Sequence, residues 1–365
     1  MALKNKIIAI FILLNASFAS EAKIILHELL TKQAVGNIRF LSQDGKFTYY
    51  QKRSGSLLFS TNYKVIEFLK GKVGTQYTVI GSRARKKIAI MQNENFHNLY
   101  SQRAKEKIYL LNFGDTKPFE IGFGGSAQLH LDDAWLSYYD SYAKTIYFVN
   151  TDSPALKFSI KLNNKINPYF TPQVVMSDDD TIYYTDLGET GSFGLLQYKR
   201  SLAKAEIIFK SHTPMVKAEI CINNNSLIMG IFGINLSKEG TYISKSPLPL
   251  EDFSKRKAIY ISLTNDAGQM ICDYGTNSVT VIKNFGTNDN YKTDLIDINT
   301  ENKEITQLSE LNTVTSVINM DGTLLALDKG KYFIVKGTMD YKNVDSLRSL
   351  PPSGAIEEIK KIDGL

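Results

Sequence analysis

Apolar and polar positions alternate along the chain in short runs rich in Tyr, Ile, Leu and Val, and Asp, Asn, Gly and Ser clusters interrupt the runs. A period of two with turn residues between runs is the pattern of β-strands joined by tight turns. One combination recurs: an apolar strand, a polar turn, then a second strand, as in LSQDGKFTYY, LDDAWLSYY, SDDDTIYY and INNNSLIMG. The turns centre on Asp44, Ala84, Asp133, Asp179, Asn224, Gly275 and Asp321, at a mean interval of about 46 residues.

That period, with about four short strands per unit, predicts an all-β, seven-bladed β-propeller. The fourth unit is expected at 173–176, 181–185, 194–199 and 205–209, and the fifth at 218–222, 226–231, 241–244 and 258–262. The seventh unit offers strands at 323–327 and 331–335 and lacks a clear fourth, whereas residues 23–30, KIILHELL, form a β-compatible segment with no partner. A closed ring removes open sheet edges. The N-terminal segment is therefore expected beside residues 331–336, closing a propeller that spans 23–337. The tail 338–365 is expected outside it, with Ile356, Ile359 and Ile362 at a spacing that suits a short helix.

Composition adds compartment. Lys4 and Lys6 precede an apolar run at 7–14 and small residues at Ser17 and Ala19, so residues 1–19 read as a signal peptide cleaved after 19 or after 22. The run is far shorter than the roughly 20 residues of a membrane-spanning helix. The chain has 43 basic and 37 acidic side chains; loss of Lys4 and Lys6 leaves a mild positive excess, too small to imply nucleic acid. The expected location is periplasmic or secreted. Cys221 and Cys272 each precede a repeated turn at nearly the same height on successive units, and an exported chain is compatible with a disulfide between them.

Units such as Ser42-Gln-Asp-Gly-Lys-Phe-Thr-Tyr resemble the repeat of TolB-like propellers and of the propellers attached to oligopeptidases, over about residues 36–336. Asp44-Gly45 and Asp321-Gly322 keep the Asp-Gly pair; the second unit has Arg83-Ala84-Arg85 in its place. The resemblance implies a propeller. It does not bring a hydrolase, because G-x-S-x-G is absent and the residues after Gly337 leave no room for that domain.

Candidate chemistry is sparse. Four histidines, His27, His97, His130 and His212, show no local metal spacing, although propeller sugar lyases can gather histidines from several blades. The run Asp178-Asp179-Asp180 falls on a repeated turn, where Asp bonds its own backbone. No cofactor and no metal are expected. Tyrosine pairs at Tyr49-Tyr50, Tyr138-Tyr139 and Tyr183-Tyr184 occupy equivalent second strands, and alternation sends one member of each pair to either face.

Recognition is expected on the loops between second and third strands. Their candidate residues are Phe96, His97, Tyr100, Arg103 and Lys105, then Glu189 and Phe193, Phe232, and Asp289 with Tyr291; Arg83, Arg85, Lys86 and Lys87 form a basic patch. The sequence thus points to an exported, non-catalytic propeller that binds a protein or another cell-envelope component, with an anionic glycan or lipid surface as a further partner class. A lyase-like glycan-processing enzyme with a central site is the alternative, and the oligomeric state is open.

Overall fold

The computed structural model describes residues 37–336, apart from 42–46, 52–53, 62–64, 82–86, 95–105, 113–114, 164–169, 189–191, 235–240, 251, 263–266, 274–276, 286–291, 312–313, 321–322 and 329–330, together with residues 358–359. Among these, the strands form successive four-stranded antiparallel units. The first is β1 (Asn37–Leu41), β2 (Phe47–Gln51), β3 (Leu57–Thr61) and β4 (Val65–Leu69). The second is β5 (Gln76–Gly81), β6 (Lys87–Asn93), β7 (Glu106–Asn112) and the first half of β8 (Phe119–His130). The third takes the second half of β8 with β9 (Trp135–Asp140), β10 (Thr145–Asn150) and β11 (Lys157–Lys161).

The fourth unit is β12 (Val174–Met176), β13 (Thr181–Leu187), β14 (Ser192–Lys199) and the first half of β15 (Lys204–Asn223). The rest of β15 opens the fifth, followed by β16 (Ser226–Ile234), β17 (Thr241–Pro247) and β18 (Lys257–Ser262). The sixth is β19 (Ala267–Asp273), β20 (Ser278–Phe285), β21 (Lys292–Asn299) and β22 (Ile305–Leu311). Last come β23 (Val314–Met320), β24 (Thr323–Asp328), β25 (Lys331–Lys336) and β26 (Glu358–Ile359). The helical content of the described residues is one 3-10 turn, Phe253–Lys255.

Two expectations change at the C-terminus. Tyr332 and Phe333 of β25 pair with Ile359 and Glu358, so the strand position assigned to residues 23–30 is taken by the tail. Glu358 and Ile359 are strand, not helix: three isoleucines at a spacing of three offer little apolar face to hold a helix, whereas an open edge offers hydrogen bonds to an extended chain. Residues 23–30 themselves lie outside the described residues, as do the turn centres Asp44, Ala84, Gly275 and Asp321.

Apolar cores lie between units rather than within them. Trp135, Tyr139, Ile146, Phe148 and Ile160 of the third unit pack with Val174, Met176, Ile182, Tyr184 and Leu196 of the fourth. The opposite face of the fourth, with Val175, Tyr183, Phe193 and Leu195, meets Ile220, Leu227, Met229 and Ile231 of the fifth. Strand alternation therefore splits Tyr183 from Tyr184, and likewise Tyr138 from Tyr139. Covered on both faces, β13 is buried along its whole length.

Turn chemistry fixes the registers. Asn223 pairs with Ser226 around Asn224 (φ 43°) and Asn225 (φ 53°), both left-handed, as a two-residue hairpin turn demands. Where β8 passes from one unit to the next, Gly124 lies against Tyr138, and a Cβ there would stand 2.8 Å from the ring.

The outer strands share another device. In the ladders joining third to outer strands, one outer residue is skipped: Phe68, Ile121, Ile208, Ile259 and Leu308 in the first, second, fourth, fifth and sixth units. These bulges kink an edge that would otherwise template association. β11 keeps an unbroken register.

Cys221 of β15 and Cys272 of β19 are joined as a disulfide, with Cα atoms 6.3 Å apart and a sequence separation of 51. It links two sheets that share no ladder. Replacing both by Ser is expected to lower stability by about 4 kcal/mol, read as a drop in the urea midpoint. Thiol titration of the denatured, unreduced chain should find no free thiol; two per chain would refute the bridge.

Candidate interaction face

Because each unit is an antiparallel meander, its first-to-second and third-to-outer turns lie at one end, and its second-to-third loops and unit-to-unit links at the other. The first end is latched across successive seams. Lys87 N donates to Asp133 Oδ2 at 3.2 Å, and Lys87 Nζ pairs with Asp152 at 2.7 Å. Trp135 Nε1 donates to Asp179 Oδ1 at 2.9 Å, while the Arg200 guanidinium lies 5.1 Å over Trp135 and 4.9 Å over Phe158. Arg256 repeats this stacking over Phe209 at 4.9 Å. At the next seam Asn223 Nδ2 donates to Ser278 O at 3.0 Å and Lys245 pairs with Glu301 at 2.5 Å.

Lys87 is thus no part of an exposed basic patch: its side chain is 12% exposed and also donates to Asn112 Oδ1 at 2.8 Å. Arg83, Arg85 and Lys86, between β5 and β6 in sequence, lie outside the described residues. The Asp178 run is likewise consumed by structure. Burial pushes the Asp178 carboxyl up, but hydrogen bonds from Asp180 N and Thr181 N, both to Oδ1, outweigh it and hold it below the usual range. Asp180 Oδ2 accepts from Ser201 Oγ at 2.9 Å.

The other end carries the second-to-third connections on which recognition was expected. Phe96, His97, Tyr100, Arg103 and Lys105 lie between β6 and β7, Glu189 between β13 and β14, and Asp289 with Tyr291 between β20 and β21; all are outside the described residues. Phe193 and Phe232 are described, and both are corrections. Each is 2% exposed, because the strand faces at these positions turn into the cores between units. They anchor loop bases and do not present a surface.

Two carboxylates at this end went unnoticed in the sequence, where nothing distinguishes them from other acids. Asp186 is buried and accepts from Leu187 N at 2.8 Å and Asn163 N at 2.9 Å; Tyr139 beside it is pushed up to about 12, by burial first and then by Asp186 and Asp140. Glu106 opens β7, accepts from Asn93 Nδ2 at 3.4 Å, and is raised by burial against that bond.

Among the described residues no three of His, Cys, Asp and Glu gather where a metal could sit. His130 is buried, its Nε2 sharing a 2.7 Å hydrogen bond with Ser137 Oγ. Burial lowers it to about 4. It is a neutral core histidine. His27 and His97 lie outside the described residues, and of His212 only the backbone, in β15, is described.

No protein-family model and no curated protein matches the chain. Solved structures do. An oligogalacturonate lyase from Vibrio parahaemolyticus aligns with a TM-score of 0.57 at 9% identity, over 90% of this chain and 86% of that one. An oligogalacturonate lyase in complex with manganese gives 0.54 at 10%, covering 83% of each. The tricorn protease gives 0.58 at 10%, over 82% of this chain and 33% of its own, so this chain spans about a third of that protein. The fold is of the propeller type. At these identities the likeness is one of fold.

The His130 environment gives a pH dependence. Its folded value lies below the ordinary 6.5, so the unfolded chain takes up a proton that the folded chain refuses. Its contribution is full above pH 6.5 and falls by about 3 kcal/mol between pH 6.5 and 4. The fluorescence of the single tryptophan, Trp135, should report this in urea titrations across that window. His130→Gln should flatten the slope; an unchanged slope would place the titration elsewhere.

Proposed function

We propose that the chain is an exported, seven-bladed propeller that acts as a non-catalytic binding or scaffold module of the cell envelope, engaging a protein or envelope component through the loop-bearing end of its blades. The observation that carries this reading is the contrast between the ends. One bears latches between units, such as Trp135 to Asp179, and the other bears the second-to-third connections 94–105, 235–240 and 286–291, with seven of the candidate recognition residues on the first and last of these. Rigid strands that position variable loops make recognition surfaces. Contact of β1 with β23 supports closure of the ring between first and last blades. The Cys221 to Cys272 bridge supports export, since disulfides persist in oxidising compartments.

A second reading, a glycan-processing enzyme, is favoured by the two oligogalacturonate lyases matched over most of their lengths. One experiment separates the two. The full chain is immobilised against solubilised envelope fractions, beside a variant with Phe96, Tyr100 and Arg103 changed to Ala and one with Arg83 and Arg85 changed to Ala. Recovery of a partner should fall by about tenfold or more in the first variant only, as expected when aromatic and Arg anchors carry binding. Loss in the second variant alone would move the binding surface to the latched end. Chain-dependent release of unsaturated sugars from oligogalacturonate, with or without manganese, would replace the binder by the enzyme.

A further inference from the structure

The rim of the molecule holds a site separate from either end. We propose that the outer edge of β11 accepts an extended, acidic segment of a partner protein as an added strand. Backbone geometry comes first. Asn150 N donates to Leu156 O and Leu162 N to Lys144 O, both at 2.9 Å. In an antiparallel ladder these pairs set the parity: residues 156, 158, 160 and 162 exchange bonds with β10, and residues 157, 159 and 161 turn their N–H and C=O outward. Lys157, Ser159 and Lys161 are also the exposed side chains, whereas Phe158 and Ile160 pack against the fourth blade. Among the described residues nothing pairs with this edge.

The other outer strands of the first six blades are kinked by a skipped residue; β11 alone offers a regular row of donors and acceptors. A row of this kind recognises an extended backbone. The lysines decide which one. If β11 paired with its own copy about Ser159, Lys157 would face Lys161, and like charges directly opposite repel. An incoming strand with carboxylates four residues apart would instead place one beside each lysine. Self-association is disfavoured and an acidic strand is selected by the same two cations.

The test uses the full chain and two labelled heptapeptides, Thr-Glu-Val-Thr-Val-Glu-Thr and its counterpart with Lys for Glu, read by fluorescence anisotropy. The Glu peptide should bind about tenfold more tightly than the Lys peptide. Lys157→Glu with Lys161→Glu should invert the preference. Ser159→Pro removes an outward N–H without touching the β10 ladder, which an edge strand tolerates; it should abolish binding while the far-ultraviolet circular dichroism and melting temperature stay unchanged. No binding, equal binding of the two peptides, or binding that survives Ser159→Pro would each overturn the proposal. The loop variants described above leave this rim intact, so failure of one reading does not entail failure of the other.

Discussion

A sheet that is apolar on both faces has to be covered on both faces, and that requirement governs this molecule. β13 is buried end to end, with Tyr183 in one core and Tyr184 in the next. The third, fourth and fifth units bury their apolar faces only against adjoining units, so each depends on its neighbours. Stability resides at the seams. Hence the seams carry the polar investment as well: an indole on a carboxylate, guanidinium groups stacked on the aromatic rings of the preceding blade, and a covalent bridge. These latches are directional, and they fix which height of one blade meets which height of the next, a register that apolar packing leaves loosely defined.

Covering both faces moves the remaining hazards to the perimeter. Among the described residues the outer strands of the first six units leave an edge unpaired, and the chain treats these edges in two ways. Skipped apolar residues such as Phe68 and Ile259, both buried, kink the strand and turn an extra side chain inward. β11 has no kink and is bracketed by lysines. A kinked edge is closed to any extended backbone, whereas a charged regular edge discriminates among them.

The blade period was readable because turns need residues that tolerate left-handed or self-bonded backbone, and Asp133, Asp178 and Asn224 occupy those positions. The tyrosine pairs were readable because alternation has a period of two. The passage of β8 and β15 from one blade to the next runs through Gly124-Gly125 and Thr213-Pro214, residues typical of turns, so sequence alone divides what the structure keeps as one strand. The bulges leave only consecutive apolar residues, Ile207-Ile208 for example, which an ordinary buried strand also shows. Lys87, Phe193 and Phe232 were misread for a common reason. A residue next to a loop can belong to the loop surface or to the seam beneath it, and only three-dimensional position separates the two.

That ambiguity also explains why recognition was harder to read than architecture. Where sheets cover one another, strand side chains are committed to seams almost to the strand ends, as Phe232 shows near the end of β16. What is left for a partner is backbone at an outer edge and side chains on connections. Edge backbone has no residue type of its own, so a strand-accepting edge is recognised from hydrogen-bond parity rather than from letters. β11 illustrates the consequence: Lys-Phe-Ser-Ile-Lys is unremarkable as a sequence, and it becomes specific once Phe158 and Ile160 face inward and the alternate residues are left with outward amides between two cations.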